Sequence, residues 1–214
     1  MKIIFALFLI AFGAMSARAD GLESLEVFMR SASSGRAEFT QVVSMPAREG
    51  QAARHKTSSG SFEFVRPNRF KFIYKKPFEQ SIVADGQTLW LYDVDLNQVT
   101  SRKQAQALGS TPAALIASAP DLRALQADFT LAALPDKDGL QWVEAKPKAK
   151  EGQLQSIRVG FRAADKVPEL AALDILDSFG QRSVLNFSKV EINPRLAADA
   201  FRFQPPKGAD VIRQ

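Results

Sequence analysis

Cysteine is absent from the 214 residues of this chain, and histidine occurs only once. Without thiols the chain forms no disulfide, offers no zinc–cysteine site and has no cysteine nucleophile. The single histidine, His55, lies in the polar stretch ARHKTSS, which contains no visible partner to hold its ring as the base of a Ser–His–acid triad. These absences exclude thiol chemistry and argue against a histidine-dependent hydrolase.

The usual motifs of cofactor and metal sites are also missing. The chain contains no G-x-S-x-G, no P-loop and no G-x-G-x-x-G. The stretch DVDLNQ begins like a calcium-binding loop at Asp93, but Gln98 and Gln104 occupy the places that an EF-hand reserves for glycine and glutamate. No long run of Lys and Arg marks a nucleic-acid surface. We therefore predict that the chain is not an enzyme and uses no cofactor, metal or nucleic acid.

The first residues, 1–19, have the three-part layout of a secretory signal peptide. Lys2 precedes the apolar run IIFALFLIAFGA, and an A-x-A site ends at Ala19. The run is too short to cross about 30 Å of hydrocarbon as a helix, which disfavours an uncleaved anchor. We predict cleavage after Ala19, an exported protein, and a single domain over 20–214. Loss of Lys2 and Arg18 lowers the formal net charge from +5 to +3.

Aromatic residues recur at every second position in the stretch GSFEFVRPNRFKFIYKKP, residues 60–77. This alternation predicts two strands whose rings share one face of a sheet: Phe62, Phe64, Phe70, Phe72 and Tyr74. One interpretation is a core face packed against protein. The other is the wall of an apolar binding hollow, with the charged residues of these strands on the opposite, solvated face.

Arg66 lies between the two ring-bearing runs. It is an even number of positions from Phe62 and Phe64, which predicts that it lies on the same face of the strand. A buried charge costs several kcal/mol unless it is paired or hydrogen-bonded. The guanidinium offers five donors in a fixed fork, so an arginine at the rim of a hollow could bind backbone carbonyls of a covering element. The alternative is an arginine that faces solvent at a turn.

The rest of the chain reads as strands interrupted once by helices. Residues 22–34 predict an amphipathic helix ended by Gly35, and residues 46–59 predict a polar loop. Asp85-Gly86 predicts a hairpin. Residues 103–125 lose the alternation and gain alanine, which predicts short helices, one of them starting at Pro120-Asp121. Strand signals then resume through 128–192 and again in FRFQPPKGADVI from Phe201, where the proline pair stops the last strand. A mainly β (α+β) fold with a large antiparallel sheet or barrel follows, and an open hollow in such a sheet would need the helical insertion as its cover.

Four stretches in this order carry a family resemblance: GSFEFVRPNRFKFIY, SIVADGQTLWLYD, STPAALIA and FRFQPPKGADV. Together with the signal peptide and the first helix, they resemble the periplasmic outer-membrane lipoprotein carriers of the LolA family over essentially the whole mature chain. The resemblance implies an open, half-closed antiparallel β-barrel, with an N-terminal helix and short helices that form a lid over an apolar cavity. It implies that this cavity binds the acyl chains of lipoproteins.

The resemblance also assigns residues and partners. It implies that the five rings above line the acyl cavity, that Arg66 latches the lid, and that the lid contains Pro112, Leu115, Ile116 and Leu122. It implies a periplasmic monomer that takes acylated lipoproteins from an inner-membrane ABC transporter and delivers them to an outer-membrane receptor. A carrier or sensor of another lipid or glycolipid on the same fold is one alternative, and a lipid hydrolase that uses His55 is another.

Overall fold

One open sheet of twelve strands organises the part of the chain that the computed structural model describes, residues 20–47, 52–107, 119–149 and 152–214. The strands are β1 (Ser34–Met45), β2 (Arg54–Val65), β3 (Arg69–Lys76), β4 (Gln80–Asp85), β5 (Thr88–Asp93), β6 (Gln98–Lys103), β7 (Phe129–Lys137), β8 (Leu140–Pro147), β9 (Leu154–Arg162), β10 (Glu169–Asp177), β11 (Arg182–Ile192) and β12 (Asp210–Arg213). The helices are α1 (Gly21–Ser31), α2 (Gln104–Ala107) and α3 (Leu122–Asp128).

The strand order across the sheet is β12-β6-β5-β4-β3-β2-β1-β11-β10-β9-β8-β7. Strands β1 to β6 form one meander, strands β7 to β11 form a second, and the pairing of β1 with β11 joins the two. All neighbours are antiparallel except β12, which runs parallel to β6. Because β7 and β12 are the two edges, the sheet is open, and the predicted mainly β half-barrel with an N-terminal helix is confirmed.

Helix α1 begins at a cap and packs one apolar face on the sheet. The Asp20 carboxylate accepts hydrogen bonds of 2.9 Å from the amides of Leu22 and Glu23, which satisfies two donors that a helix start leaves free. Phe28 on the buried face packs its ring against Phe64, at 6.1 Å between centroids, and Phe161, at 5.4 Å. We call the side of the sheet that carries Phe64 the inner face and the opposite side the outer face. Helix α1 therefore covers one end of the inner face.

The predicted end of this helix is wrong by three residues. The helix stops at Ser31, where the amide of Ala32 closes the last turn on the carbonyl of Phe28. Gly35, expected to terminate the helix, lies inside β1 instead. A Cβ at Gly35 would collide with the ring of Phe64, so the glycine serves close packing of an aromatic side chain and not a helix cap.

Two other segments differ from the sequence-based expectation. Residues 54–59, expected as loop, form the first half of β2 and pair with β1 from Met45 to Thr40. This strand was not predicted because its side chains are polar on both faces, as this end of the sheet is exposed to solvent on both sides. The strand expected around Phe201 is absent from the described chain, and β12 begins only at Asp210. Phe201 is buried on the outer face, where the cations of Arg69 and Lys71 lie over its ring.

The outer face carries charged residues, as the alternation predicts. Glu63 binds Arg36 at 2.9 Å and Lys71 at 3.0 Å, all three on neighbouring outer-face positions. Burial alone would raise the pKa of Glu63, but the hydrogen bonds from these two cations lower it below its ordinary value. Acidic and basic residues on this side therefore neutralise one another.

Two kinds of feature are absent from the described residues. No helix in these ranges is both long and apolar enough to cross a membrane. The same part of the chain holds no cluster of three or more His, Cys, Asp or Glu side chains that could ligate a metal.

Candidate functional site: an aromatic inner face with Arg66 at its rim

The four phenylalanines predicted to share a face lie together on the inner face and are at most 5% exposed. The register of β2 and β3 pairs Phe62 with Phe72 and Phe64 with Phe70. The rings of Phe62 and Phe72 stack, with centroids 4.4 Å apart and planes inclined by 29°. Such pairs add about 0.5–1.5 kcal/mol to the stabilisation from burial alone.

A glycine lets the aromatic cluster extend across three strands. Gly60 in β2 lies opposite Phe39 of β1 on one side and Tyr74 of β3 on the other. Without a side chain between them, the rings of Phe39 and Tyr74 meet edge to face, 5.1 Å apart. Burial raises the pKa of Tyr74 to about 12, so its phenol stays neutral at any physiological pH.

Several members of this cluster were missed by the sequence reasoning. Phe28, Phe39, Phe161 and Phe187 are all buried in the same core. Phe39 lies in the alternating stretch AEFTQVVS and could have been found from its parity. Phe161 and Phe187 come from strands far along the chain, and no local signal places them beside Phe28 and Phe62.

In this structure the described rings pack against one another. A cavity among Phe28, Phe62, Phe64 and Leu170 has a volume of about 10 Å³. Ligand pockets typically measure about 300–1,000 Å³, so this gap admits no acyl chain unless the rings separate. The assignment of Phe62, Phe64, Phe70, Phe72 and Tyr74 as the lining of a ligand cavity stays a prediction.

Arg66 follows the last residue of β2 and binds two distant carbonyls. Its Nε donates to the carbonyl oxygen of Ala32 at the end of α1, and its Nη1 donates to that of Ala119, both at 2.9 Å. Its Cζ lies 5.5 Å from the ring centroids of both Phe28 and Phe64. The side chain is thus folded against the inner face, where two backbone oxygens and two ring faces surround its charge.

The charge on Arg66 is only partly compensated. Burial lowers its pKa to about 10, which leaves the guanidinium protonated at neutral pH. Its Nη2 is buried and has no hydrogen-bond partner among the residues that the structure describes. Hydrogen bonds to a charged donor are worth about 1.5–3 kcal/mol each, so the two that Arg66 makes hold Ala32 and Ala119 firmly but reversibly.

Residues of the predicted lid are only partly described. Pro112, Leu115 and Ile116 lie outside the described residues. Leu122 opens α3 and packs, half-buried, against the aromatic core together with Ala119. The carboxylate of Asp121 caps this helix by accepting a 2.9 Å hydrogen bond from the amide of Ala124. The position of Ala119 and α3 therefore depends both on apolar packing and on the hydrogen bond from Arg66.

A buried glutamine supports the turn that carries Arg66. Gln104, at the start of α2, donates from Nε2 to the carbonyl oxygen of Asn68 at 2.6 Å. Its Oε1 accepts a 2.9 Å hydrogen bond from the amide of Gly86. One side chain thus ties α2 to the β2–β3 turn and to the β4–β5 turn. Nothing in the local sequence marks Gln104, because its partners come from two other turns.

The lone histidine, His55, is not part of the aromatic core. Its Nδ1 is 2.9 Å from the hydroxyl of Ser44, and both side chains are in the exposed pairing of β1 with β2. Within the described ranges no carboxylate hydrogen-bonds His55, so the third member of a hydrolytic triad is missing there.

Comparison with known proteins gives a consistent picture. The family model described as outer membrane lipoprotein carrier protein LolA matches residues 30–204. A protein of Albidiferax ferrireducens named outer-membrane lipoprotein carrier protein is 72% identical over 210 residues, covering 98% of this chain and 99% of the relative. A protein of the same name from Methylibium petroleiphilum is 55% identical over 199 residues, covering 93% and 92%.

A solved structure shares the fold. The crystal structure of an uncharacterized conserved protein from Thermus thermophilus matches with a TM-score of 0.52, covering 90% of this chain and 98% of that one. At 14% sequence identity this likeness concerns the fold alone. The family match and the high identity to the named relatives decide the assignment: the chain belongs to the LolA family of outer-membrane lipoprotein carrier proteins.

Proposed function

We propose that this protein is a periplasmic carrier that binds the acyl chains of lipoproteins on its aromatic inner face and delivers them to the outer membrane. Two relatives, 72% and 55% identical to this chain, are named outer-membrane lipoprotein carrier proteins. The observation that carries the proposal is the inner face itself, where an aromatic cluster built from five strands meets a half-buried arginine at the rim.

An escort for acyl chains needs a large apolar surface. Each CH₂ group buried from water contributes about 0.8 kcal/mol, so the acyl chains of one lipoprotein do not cross an aqueous compartment alone. The rings of the inner face offer this surface once they separate from one another. Because the ring–ring contacts are replaced by ring–acyl contacts of the same kind, opening the cluster costs little when cargo is present.

Release is the second requirement, and Arg66 is suited to it. Its two hydrogen bonds stabilise the arrangement in which Ala119 and α3 lie against the aromatic core. Cargo that enters the core has to displace these elements, so the empty state regains the two hydrogen bonds when cargo leaves. An energy of a few kcal/mol favours release without preventing loading.

The remaining parts of the proposal follow from the sequence and the family. The signal-peptide pattern over 1–19 supports export, cleavage after Ala19 and a periplasmic location. Its partners are then an inner-membrane ABC transporter that supplies lipoproteins and an outer-membrane receptor that accepts them. We propose no chemical reaction for this protein itself, because binding and release are sufficient for the transfer.

Mass spectrometry of ligands extracted from the protein purified from periplasm tests the cargo. Diacylglyceryl-cysteine peptides are expected. Free lipids or glycolipids in their place would contradict the lipoprotein assignment and would favour a carrier of another lipid on the same fold.

A further inference from the structure

A second cavity opens at the end of the inner face that lies away from α1. Its volume is about 440 Å³, within the range of about 300–1,000 Å³ that is typical of ligand sites. Strands β1 to β5 all contribute to it, near the β3–β4 and β5–β6 turns. We call it the open-end groove. It is distinct from the gap of about 10 Å³ inside the aromatic cluster.

One side of the open-end groove is apolar and exposed. Phe78 is 58% exposed and Leu96 is 69% exposed, and both line the groove with Val43, Pro77 and Tyr74. Apolar side chains grouped in a concave site and left in water are typical of a surface that binds something. Tyr74 also belongs to the aromatic core, so the groove continues directly into the face where we place the acyl chains.

The other side of the groove offers polar groups of every kind. Gln41 and Ser58 face each other across β1 and β2, and Gln80 and Asp93 do so across β4 and β5. The ammonium group of Lys56 lies 5.1 Å from the centre of the Phe78 ring. Hydrogen-bond donors, acceptors and both signs of charge therefore line one concave surface.

This mixture of groups discriminates between possible occupants. An anionic lipid headgroup would meet two carboxylates, of Asp93 and Asp95, against the one ammonium group of Lys56 among the described lining residues, so repulsion outweighs attraction. An acyl chain would cover Ser58 and Gln80 without offering them a hydrogen bond, which costs free energy for each polar group. A polypeptide brings amides, carbonyls and side chains, and so can satisfy both the polar and the apolar sides.

We propose that the open-end groove binds the polypeptide segment next to the acylated residue of the cargo. This inference rests on the proposed function, since it requires acyl chains on the inner face. The opposite end of that face is covered by α1, where Phe28 packs on Phe64. Polypeptide attached to the acyl chains leaves the inner face through the groove without crossing the buried rings.

The size of the groove sets the length of the bound segment. Five neighbouring strands at about 4.8 Å spacing extend over roughly 19 Å, which an extended chain covers with about six residues. The site is thus suited to a short, flexible tether between the lipid and the folded part of a lipoprotein.

Two probes with the same acyl chains test the inference. One is a diacylglyceryl-cysteine methyl ester, and the other is a diacylglyceryl-cysteinyl hexapeptide. We expect the intact protein to bind the hexapeptide at least about tenfold more tightly, because the groove adds contacts that the ester lacks. The double variant Phe78→Ala/Leu96→Ala should lose that advantage and bind the ester as the intact protein does.

Phe179→Ala is the matched control. Phe179 is 72% exposed and lies on the β10–β11 turn, but it lines a different cavity, with Met45 and Arg54. The control should retain the tenfold preference, which separates the groove from a general effect of surface aromatics. Thermal unfolding of each variant confirms that the fold is unchanged.

The outcomes distinguish the inference from the function on which it rests. Equal affinity of the intact protein for both probes would overturn the inference and leave the carrier function standing. The inference would also be overturned if the double variant weakened binding of both probes equally, or if it lost only its binding to anionic lipid vesicles. If the intact protein binds neither probe, the proposed function itself fails.

Discussion

Arg66 donates a 2.9 Å hydrogen bond to the carbonyl oxygen of Ala119, 53 residues further along the chain. The same guanidinium binds the carbonyl oxygen of Ala32 at the end of α1. One side chain thus connects the β2–β3 turn, the end of the first helix and the segment that leads into α3. It does so beside the aromatic core, at the cost of burying a charge whose Nη2 has no partner in the described chain.

Replacing Arg66 by leucine tests whether these hydrogen bonds favour the empty state. We expect Arg66→Leu to load lipoproteins normally but to release them poorly, because the empty form no longer regains the two bonds. The loss of two hydrogen bonds worth about 1.5–3 kcal/mol each corresponds to cargo held about a hundredfold or more too tightly. Transfer of labelled lipoprotein from the variant to the outer-membrane receptor measures the effect.

Arg69→Leu is the control for that substitution. Arg69 lies three residues away but faces Phe201 on the outer side of the sheet, so its loss should leave transfer unchanged. Arg66→Lys should restore little of the transfer to the receptor, because a single ammonium group does not reproduce a guanidinium fork that reaches two separate carbonyls. Normal transfer by Arg66→Leu would disprove the latch.

Truncation of Phe62 tests the packing of the aromatic core. Phe62 is 2% exposed and contacts Phe64, Phe72 and Phe187. We expect Phe62→Ala to lower the free energy of unfolding by about 3–5 kcal/mol, the usual effect of removing a buried ring. The exposed Phe78→Ala should change it by no more than about 0.5 kcal/mol. Urea unfolding followed by fluorescence gives both values, and equal effects would contradict the assignment of Phe62 to the core.

Gln104 tests the support beneath the β2–β3 turn. Gln104→Ala leaves the carbonyl of Asn68 and the amide of Gly86 without their partner. We expect the free energy of unfolding to fall by about 1–3 kcal/mol for each of these groups that stays buried. We also expect faster hydrogen exchange at the amide of Arg66, which donates to the carbonyl of Ser33 at 2.8 Å. Gln87→Ala, an exposed glutamine in the β4–β5 turn, should leave that exchange rate as it is. An unchanged rate in Gln104→Ala would show that the turn holds its shape without this side chain.

The lowered pKa of Glu63 predicts a dependence of stability on pH. A carboxyl group whose pKa is lower in the folded chain than in the unfolded chain stabilises the fold above its unfolded pKa, and that contribution disappears as the pH falls through the folded pKa. We therefore expect Glu63→Gln to have a lower Tm than the intact protein at pH 7, with the difference shrinking below about pH 4.5.

Thermal unfolding between pH 3 and pH 7 measures this difference. Glu26→Gln removes a carboxylate from the exposed side of α1, 3.9 Å from Arg30, and keeps the network of Glu63 with Arg36 and Lys71. It is the control for the loss of one negative charge. A Tm difference for Glu63→Gln that stays constant with pH would show that the Glu63 network does not contribute in its charged form.

Local patterns predicted those elements whose cause is local. The period-two rings of 60–77 predicted two paired strands with a common face, and Phe62 does pair with Phe72. Asp85-Gly86 predicted the β4–β5 hairpin, and Pro120-Asp121 predicted a helix start that the Asp121 cap explains. In each case neighbouring residues determine the backbone, so the signal is contained in a few consecutive positions.

Features that depend on partners distant in the sequence could not be predicted from local patterns. The β1–β11 pairing joins Phe39 to Phe187 and unites the two meanders, but no short stretch specifies it. Gly35 could be read as a helix terminator because the ring that requires it comes from β2. The two carbonyls bound by Arg66 belong to segments that only the fold brings together. The family resemblance supplied the role expected for that arginine, while its partners came from the structure.

Release of lipoproteins from inner-membrane vesicles is the decisive test of whether this protein carries acylated lipoproteins. Vesicles that contain the ABC transporter and labelled lipoproteins are incubated with ATP and the purified protein, and the soluble fraction is separated by gel filtration. We expect a soluble 1:1 complex of this protein with an acylated lipoprotein. Lipoproteins that stay in the membrane pellet while the protein elutes alone would contradict it.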